Sequence, residues 1–243
     1  MSSGHAWRCS LGVVLTLGLM TAALADPPSE PPSQPGRIDV EVEIAASGGS
    51  VFYDVAGPDR SIVEVVLTGG RLTPEALASL AAPLAKLPKL KKLTIASKLI
   101  RDDDLRSLAL LQQLEDLQLN CDVTGAGVAH LGSLQGLTSL GFFCSPQLTD
   151  TALIQTRTLP QLKRLRLAYT SRITDTGLKL LRTMPALEEL TLKSTGVTSE
   201  GLDVLKEFPA LKRVSVSGSP ASSFTRERIR QLKADLPGCE ITN

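Results

Sequence analysis

Apolar residues recur about every 24 positions through most of this sequence, and this periodicity constrains the fold more than any other feature. The first apolar residue of each unit stands at Ile62, Leu90, Leu114, Leu137, Leu162, Leu187 and Leu211. The residues three and five positions after each of these are apolar without exception, as in Leu190 and Leu192. Chance does not keep several apolar columns aligned over so many units, so the sequence predicts tandem structural repeats.

The segment 173–197, ITDTGLKLLRTMPALEELTLKSTGV, shows how one repeat is built. Residues 187–192 read L-x-x-L-x-L, and this alternation predicts a half-buried strand. Residues 174–184 carry leucine and methionine at three-residue steps, which predicts a short helix packed on one side. Thr174 is expected to cap this helix, and Asp175 to lie at the positive end of its dipole. Because one such unit cannot bury its own apolar face, it requires neighbours of the same kind.

Three departures from the pattern lead to predictions of their own. The interval between the first two repeats is longer by about one helical turn, so the helix over 74–86 should be longer than its equivalents. Thr156 stands where a core leucine is expected, so either a polar group faces the core or that helix is irregular. Arg101 replaces the capping threonine of its repeat, and Asp102 is the candidate cap instead.

A small residue recurs at one position of four repeats, shortly after the start of each helix. These residues are Gly127, Ala152, Gly177 and Gly201. Their recurrence predicts that neighbouring repeats approach each other closely at this point.

The helix starts ITDTGL, LTDTAL and VTSEGL, followed by L-x-x-L-x-L strands, resemble those of leucine-rich repeats. More narrowly, they resemble the ribonuclease-inhibitor-like or cysteine-containing type found in secreted bacterial proteins of planctomycete style. The resemblance implies an α/β fold, a right-handed β-α superhelix of about seven repeats with a parallel concave sheet and helices on the convex side. It places the repeats at 57–224 and a C-terminal cap at 225–243. It also implies a binding scaffold, although the family has many unrelated partners.

Residues 1–25 have the features of a secretory signal peptide. An apolar run at 11–20 follows a short basic region, and small residues precede the expected cleavage site after Ala25. An uncleaved membrane anchor is the alternative, but the run is shorter than the roughly 20 residues of a spanning helix. Residues 26–37 are rich in proline and are expected to form a disordered linker. We therefore expect an exported protein, periplasmic or extracellular, with no stable membrane span after cleavage.

Residues 38–56 are expected to form an N-terminal cap, since a repeat array must cover its first apolar face. Apolar and polar residues alternate from Ile38 to Ile44, and Gly48-Gly49 marks a turn, so the pattern favours two short strands. The segment 40–46 could equally be a helix in the cap.

Charge and composition argue against several classes of function. The chain has 26 basic and 25 acidic residues, whereas binding to nucleic acid requires a basic surface. His130 is the one histidine beyond the leader, and a lone histidine supplies no nucleophile–base pair. The acidic run RDDDL at 101–105 is typical of a solvated helix start rather than of a cation site. We therefore expect no catalytic, cofactor or metal site.

The first two strand positions after each repeat start should project toward solvent. In order they are Val63-Glu64, Lys91-Lys92, Glu115-Asp116, Thr138-Ser139, Lys163-Arg164, Glu188-Glu189 and Lys212-Arg213. Because neighbouring parallel strands lie about 4.8 Å apart, basic pairs should meet acidic pairs. We favour a salt-bridge ladder that maintains the register, with a striped surface that selects a partner as the alternative.

The repeat that starts at Leu137 interrupts this ladder, because its exposed positions are uncharged and include Phe143. Polar and aromatic side chains of the neighbouring repeats flank it, namely Gln118, Asn120, Arg166 and Tyr169. An aromatic ring beside an arginine is the composition of an interaction hot spot, so these five residues are the candidate partner-binding site. The alternative is that Phe143 folds over the rim and covers Phe142 or the loop at Pro146.

Cys121 and Cys144 each stand seven residues after the start of their repeats, so they are expected to stack on adjacent repeats. Their α-carbons would then lie about 5 Å apart, within disulfide range, and an exported protein meets an oxidising compartment. Side chains that point in parallel make poor bridging geometry, so two free, half-buried cysteines are the alternative.

The sequence supports one function best, an exported and non-enzymatic scaffold that binds a protein or envelope component through its concave face. We expect this scaffold to be a monomer. A structural cell-envelope protein without a single ligand is the alternative. An enzyme subunit is disfavoured because the catalytic groups are missing, and an intracellular adaptor of the ubiquitin-ligase type is disfavoured by the leader.

Overall fold

The computed structural model describes residues 37–55, 60–218 and 224–242. The expected signal peptide and all but the last residue of the expected linker lie outside these residues. In the described residues the strands are β1 (Gly49–Tyr53), β2 (Ile62–Thr68), β3 (Lys92–Ala96), β4 (Asp116–Asn120), β5 (Ser139–Phe143), β6 (Arg164–Ala168), β7 (Glu189–Lys193), β8 (Arg213–Ser217) and β9 (Glu240–Thr242).

Helices connect most of these strands. The α-helices are α1 (Arg37–Ala46), α2 (Pro74–Ala85), α3 (Gly125–His130), α4 (Asp150–Thr156), α5 (Asp175–Leu181) and α6 (Arg226–Asp235), and the 3₁₀ helices span Asp102–Leu110, Leu131–Ser133 and Gly201–Glu207. α3, α4 and α5 have only 6 or 7 residues each. Helices this short are not stable alone, so packing against the rest of the protein must maintain them.

All nine strands form one sheet, and their order in the sheet is their order in the chain. β1 pairs antiparallel with β2, and each later pair of neighbours is parallel. The predicted α/β class with a parallel sheet is therefore confirmed. The apolar columns of the sequence become straight rows across the sheet, as in Leu93, Leu117, Leu140, Leu165, Leu190 and Val214.

The core lies between this sheet and the helices. Leu117 and Leu119 of β4 are fully buried, and the helix residues Leu178 and Leu181 belong to the same apolar cluster. Alternate residues of a strand point to opposite faces, which explains why every second strand residue joins this cluster. With few aromatic residues in the chain, Phe142 is the largest fully buried side chain of the described core.

The N-terminal segment is a helix followed by a single strand, so the favoured two-strand interpretation of residues 38–55 is wrong and the helical alternative is right for its first half. Val40 and Ile44 are both buried, whereas Val42 between them is 61% exposed. Residues four apart share one face of a helix, so the same apolar residues fit a helix as well as a strand.

Most of the predicted local features are confirmed. α2 is the longest helix of the described repeats, with 12 residues. Thr174 caps α5 by accepting a hydrogen bond from the Thr176 backbone at 3.2 Å. Thr156 is fully buried, and its hydroxyl donates to the Leu153 carbonyl at 2.8 Å, so a polar group does face the core.

The prediction that Asp102 caps its own helix is wrong. The carboxylate of Asp104 accepts from the Arg101 backbone at 2.7 Å instead. Asp102 extends to the next repeat, where it accepts from both the backbone N–H and the hydroxyl of Thr124, at 2.7 and 2.6 Å.

The same contact recurs between other repeats. Asp150 accepts from the backbone and hydroxyl of Thr174, both at 2.7 Å, and Asp175 accepts from Thr198 in the same way, at 2.8 and 2.7 Å. The recurring small residue makes room for each carboxylate, because a Cβ at Gly127, Gly177 or Gly201 would overlap Asp102, Asp150 or Asp175. The predicted close approach of neighbouring repeats is therefore confirmed. We call the three contacts that cause it, from Asp102, Asp150 and Asp175 to the threonine of the next repeat, the aspartate ladder.

This aspartate ladder is missing one member. Gly125 occupies the aspartate position of its repeat, and Ala152 replaces the small glycine that would receive an aspartate there. A Cβ at position 125 would lie 3.3 Å from the α-carbon of Ala152. The hydroxyl of Thr149, which would meet such an aspartate, contacts Thr151 at 2.9 Å.

We predict that Gly125→Asp combined with Ala152→Gly creates the missing contact with Thr149. Gly125→Asp alone should destabilise the protein through crowding, and Ala152→Gly alone through backbone entropy. The free energy of unfolding of the double variant should be about 0.5–3 kcal/mol higher than the value obtained by adding the effects of the two single variants, because the two positions share one contact. Urea unfolding of the four proteins measures this coupling, and strictly additive effects would contradict it.

Candidate binding surface

The sheet face opposite the core, called the outer face below, carries the side chains that alternate with the buried leucines. One row across this face consists of Glu64, Lys92, Asp116, Ser139, Arg164, Glu189, Arg213 and Glu240. The next row consists of Val66, Thr94, Gln118, Gly141, Arg166, Thr191, Ser215 and Thr242. The parallel register thus brings residues from different repeats into direct lateral contact.

The favoured salt-bridge ladder is present at both ends of the outer face. Its ion pairs are Lys92–Glu64 at 2.9 Å, Lys91–Glu115 at 2.8 Å, Lys212–Glu188 at 2.8 Å, Arg213–Glu189 at 2.7 Å and Arg213–Glu240 at 2.9 Å. The hydrogen bond from Lys212 lowers the pKa of Glu188 below its usual value. Exposed pairs of this kind contribute up to about 1 kcal/mol each, so they adjust the register more than they stabilise the fold.

The ladder is interrupted in the middle of the sheet. Ser139 is fully buried, and its neighbour in the row, Arg164, has no carboxylate oxygen within 4.0 Å in the described part of the chain. The guanidinium of Arg164 approaches the hydroxyl of Thr138 at 3.5 Å. Glu189, which lies beside Arg164 on the other side, pairs with Arg213.

Gly141 lies beside Arg166 in the next row of the outer face. A side chain at position 141 would overlap the amide of Gln118, and its Cβ would lie 2.8 Å from Cε2 of Phe143. Both side chains therefore extend into the space that the glycine leaves. Arg166 borders the same space, donating to Ser139 Oγ at 2.9 Å, with Asp116 Oδ2 at 3.8 Å. We call Ser139, Gly141, Gln118, Phe143 and Arg166 the Gly141 cradle.

Gln118 is the most constrained polar residue of the Gly141 cradle. Its side chain is only 8% exposed, and its Nε2 donates to Asp116. Its Oε1 is buried and receives no hydrogen bond from the described residues. A buried acceptor without a donor costs about 1–3 kcal/mol, so a donor from a bound molecule would recover that free energy.

The structure brings together three of the five residues predicted for the partner-binding site, namely Gln118, Phe143 and Arg166. Phe143 is half-buried across Gly141, on the outer face. The other two lie toward the ends of their strands. Asn120 accepts from Lys98 at 3.3 Å, and Tyr169, which is 47% exposed, has the Lys193 ammonium 5.4 Å from its ring centre.

The sequence placed Ser139, Arg164 and Asp116 at outward positions and predicted the interruption of the ladder, but none of the three was included in the candidate partner-binding site. The row Asp116, Ser139, Arg164 contained the signal, because a neutral residue between an acid and a base breaks the alternation. That Gln118 leans over Gly141 has no signal in the sequence, because it depends on side-chain conformation.

His130 lies away from this surface, at the end of α3. Its Nε2 accepts from Arg106 Nε at 3.2 Å and lies 3.8 Å from Asp103. Among the residues that the structure describes, no group of three or more His, Cys, Asp or Glu side chains is arranged to hold a metal ion. In the same residues, every helix is too short or too polar to cross a membrane.

Cys121 and Cys144 are both thiols in the structure. Cys121 is fully buried, and burial raises the pKa of its thiol to about 11. Cys144 has a left-handed backbone, with φ of 50°, and the buried Ser145 follows it. The hydroxyl of Ser145 donates to the Cys121 carbonyl at 2.7 Å, so Ser145 takes the inner position over Cys121.

We predict that iodoacetamide at pH 8 labels Cys144 in the native protein but leaves Cys121 unlabelled. The Cys121 thiol is both enclosed and protonated at this pH, and only a thiolate reacts readily. Cys121 should become labelled over the urea range in which the protein unfolds, as peptide mapping by mass spectrometry can measure. Equal labelling of both cysteines in native buffer, or recovery of a Cys121–Cys144 disulfide peptide, would contradict this expectation.

Comparison with known proteins does not identify a family for this chain. A scan against protein-family models finds no match to this chain, and a search of curated proteins finds no similar sequence.

Proposed function

We propose that this chain is an exported leucine-rich repeat protein that binds another protein, or an envelope component, through the outer face of its sheet. In this proposal about seven repeats form a right-handed solenoid. The outer face, which is the face of the sheet turned away from the core and the helices, is the concave side of that solenoid. The strict order of the strands and the straight rows of leucine support the repeat interpretation.

The Gly141 cradle is the single observation that supports this function best. The charged residues toward the two ends of the outer face are paired with one another, whereas the cradle combines an arginine, a half-buried aromatic ring and an unsatisfied amide oxygen. Arginine and aromatic residues dominate the energetics of protein interfaces. A partner therefore gains more by covering the cradle than by displacing ion pairs that already satisfy each other.

The outer face is also suited to recognition because it is rigid. Strands fixed on both sides by parallel neighbours present their side chains at constant spacing. A rigid surface loses little conformational freedom on binding, and this saving favours affinity.

The scaffold acts without catalysis or a cofactor in this proposal, and as a monomer. The leader sequence supports export to the periplasm or the extracellular space. The balanced charge of the chain supports a protein partner over a nucleic acid.

A structural role in the cell envelope is the second candidate. The paired ladder at both ends of the outer face favours it, since a surface that satisfies itself needs no ligand. In that case the repeats would set a distance between other components, and the outer face would stay uncovered.

We predict that a photo-crosslinking residue placed at Thr94 or Thr191 forms adducts with a partner in the cells that produce the protein. These positions flank Gly141 in its row on the outer face. The matched controls are Arg157 and Thr183, which are exposed on the helical side. Mass shifts on gels, followed by peptide identification, distinguish the outcomes. Equal adduct yields from both sides would contradict the proposal, and an absence of adducts from the outer face would favour the structural role.

A further inference from the structure

We propose that the Gly141 cradle binds a single carboxylate within an otherwise neutral peptide segment of the partner, and that Arg164 and Arg166 supply the positive charge. This inference rests on the proposed function, because it names the chemistry that the outer face recognises.

The first observation is an excess of positive charge at the centre of the outer face. Arg164 and Arg166 lie two residues apart on β6, so both side chains project from the same face. Asp116 is the carboxylate nearest to Arg166, at 3.8 Å, and it also accepts from Gln118. Arg164 has no carboxylate oxygen within 4.0 Å among the described residues, and Ser139 stands where the alternation of charges requires an acid. Glu188, whose pKa is lowered mainly by its hydrogen bond from Lys212 and to a lesser extent by Arg164, is the acid that Arg164 influences from a longer distance. An incoming carboxylate would complete the row.

The second observation is independent of charge and concerns hydrogen bonding. Gln118 is nine-tenths buried, and its Oε1 lies over Gly141 without a donor among the described residues. An extended peptide carries backbone N–H groups along its length, and such a group is the donor that this oxygen lacks. A carboxylate alone cannot satisfy Gln118 Oε1, so the ligand must also supply a donor, as a peptide does.

In the proposed complex Phe143 moves so that the ligand reaches this oxygen. Its ring and the Gln118 amide both occupy the space above Gly141. A change of side-chain rotamer at Phe143 exposes Gln118 Oε1 and presents the ring to the ligand, and rotamer changes of this kind are common when interfaces form. The ring then packs against the aliphatic part of the peptide.

The flanking charges restrict the ligand to one acidic residue. Asp116 lies on one side of the Ser139–Arg164 gap and Glu189 on the other. A run of acidic residues would place a second carboxylate near one of these acids, and like charges held together cost binding free energy. The cradle should therefore prefer an isolated Asp or Glu among neutral residues.

The test is a selection of phage-displayed random 12-residue peptides on the full chain. Enriched peptides are then synthesised with a fluorescent label, each beside an analogue in which the acid is replaced by its amide. We expect enriched peptides to share one isolated acidic residue. We also expect the amide analogue, or Arg164→Gln in the protein, to weaken binding at least tenfold in fluorescence polarisation.

Lys193→Gln is the matched control, because it removes one positive charge from the same face, on β7, beside Ala168 rather than beside Arg164 or the cradle. It should change affinity less than threefold. Gln118→Leu should weaken binding without altering the preference for an acid, because it removes only the acceptor. Thermal unfolding of each variant separates loss of binding from loss of folding.

Three results would overturn this inference: no enriched peptide, enriched peptides without an acidic residue, or equal effects of Arg164→Gln and Lys193→Gln. If outer-face crosslinks nevertheless form in cells, the proposed function stands and only the carboxylate assignment fails. If those crosslinks are missing as well, both fail.

Discussion

Burial of leucine between neighbouring repeats is the constraint on which the rest of this structure depends. Each repeat contributes one strand, which has five residues in every repeat but the first, and in most cases a helix of only two or three turns. Neither element can hide its own apolar side chains from water. Leu140 is covered because Leu117 and Leu165 lie on either side of it in the sheet. The leucine rows therefore determine the strand order, the parallel register and the position of the helices.

The leucine rows fix the positions of the strand residues on the outer face, but they do not restrict which side chains those residues carry. Charged residues at most outer positions pair with the neighbouring repeat, and the aspartate ladder fastens the helix starts in the same way. Both devices link each repeat to the next. At the centre of the outer face the pairing is broken by Ser139 and Gly141, and beside that interruption the Oε1 atom of Gln118 is left without a hydrogen-bond donor among the described residues.

The repeat register and the position of each repeated strand could be predicted from the sequence, because they follow from periods of two and about 24 residues. At Thr156 the sequence left burial and an irregular helix open, and the structure shows burial. Other features could not be predicted. Alternating valine and isoleucine in 38–44 fit a helix as well as a strand, so burial of Val40 and Ile44 had to come from the structure. Asp102 bonds to Thr124, 22 residues away, whereas capping rules describe only local contacts.

Some features of the candidate site could likewise be predicted from the sequence, and others could not. Gln118, Phe143 and Arg166 were predicted to lie together because the register of parallel strands follows from the repeat length. The interruption at Ser139 is visible in the sequence only after the rows are aligned. Ser145 rather than Cys144 takes the inner position over Cys121, and the left-handed backbone of Cys144 that allows this is a property of the folded loop.

The most direct test of this account is hydrogen exchange in a Leu140→Ala variant, measured strand by strand against the unchanged protein. If neighbouring repeats bury each other's leucines, removing one side chain in β5 must reduce protection in β4 and β6 on both sides, and less in β8. A loss confined to β5, or an equal loss in all strands, would contradict the account.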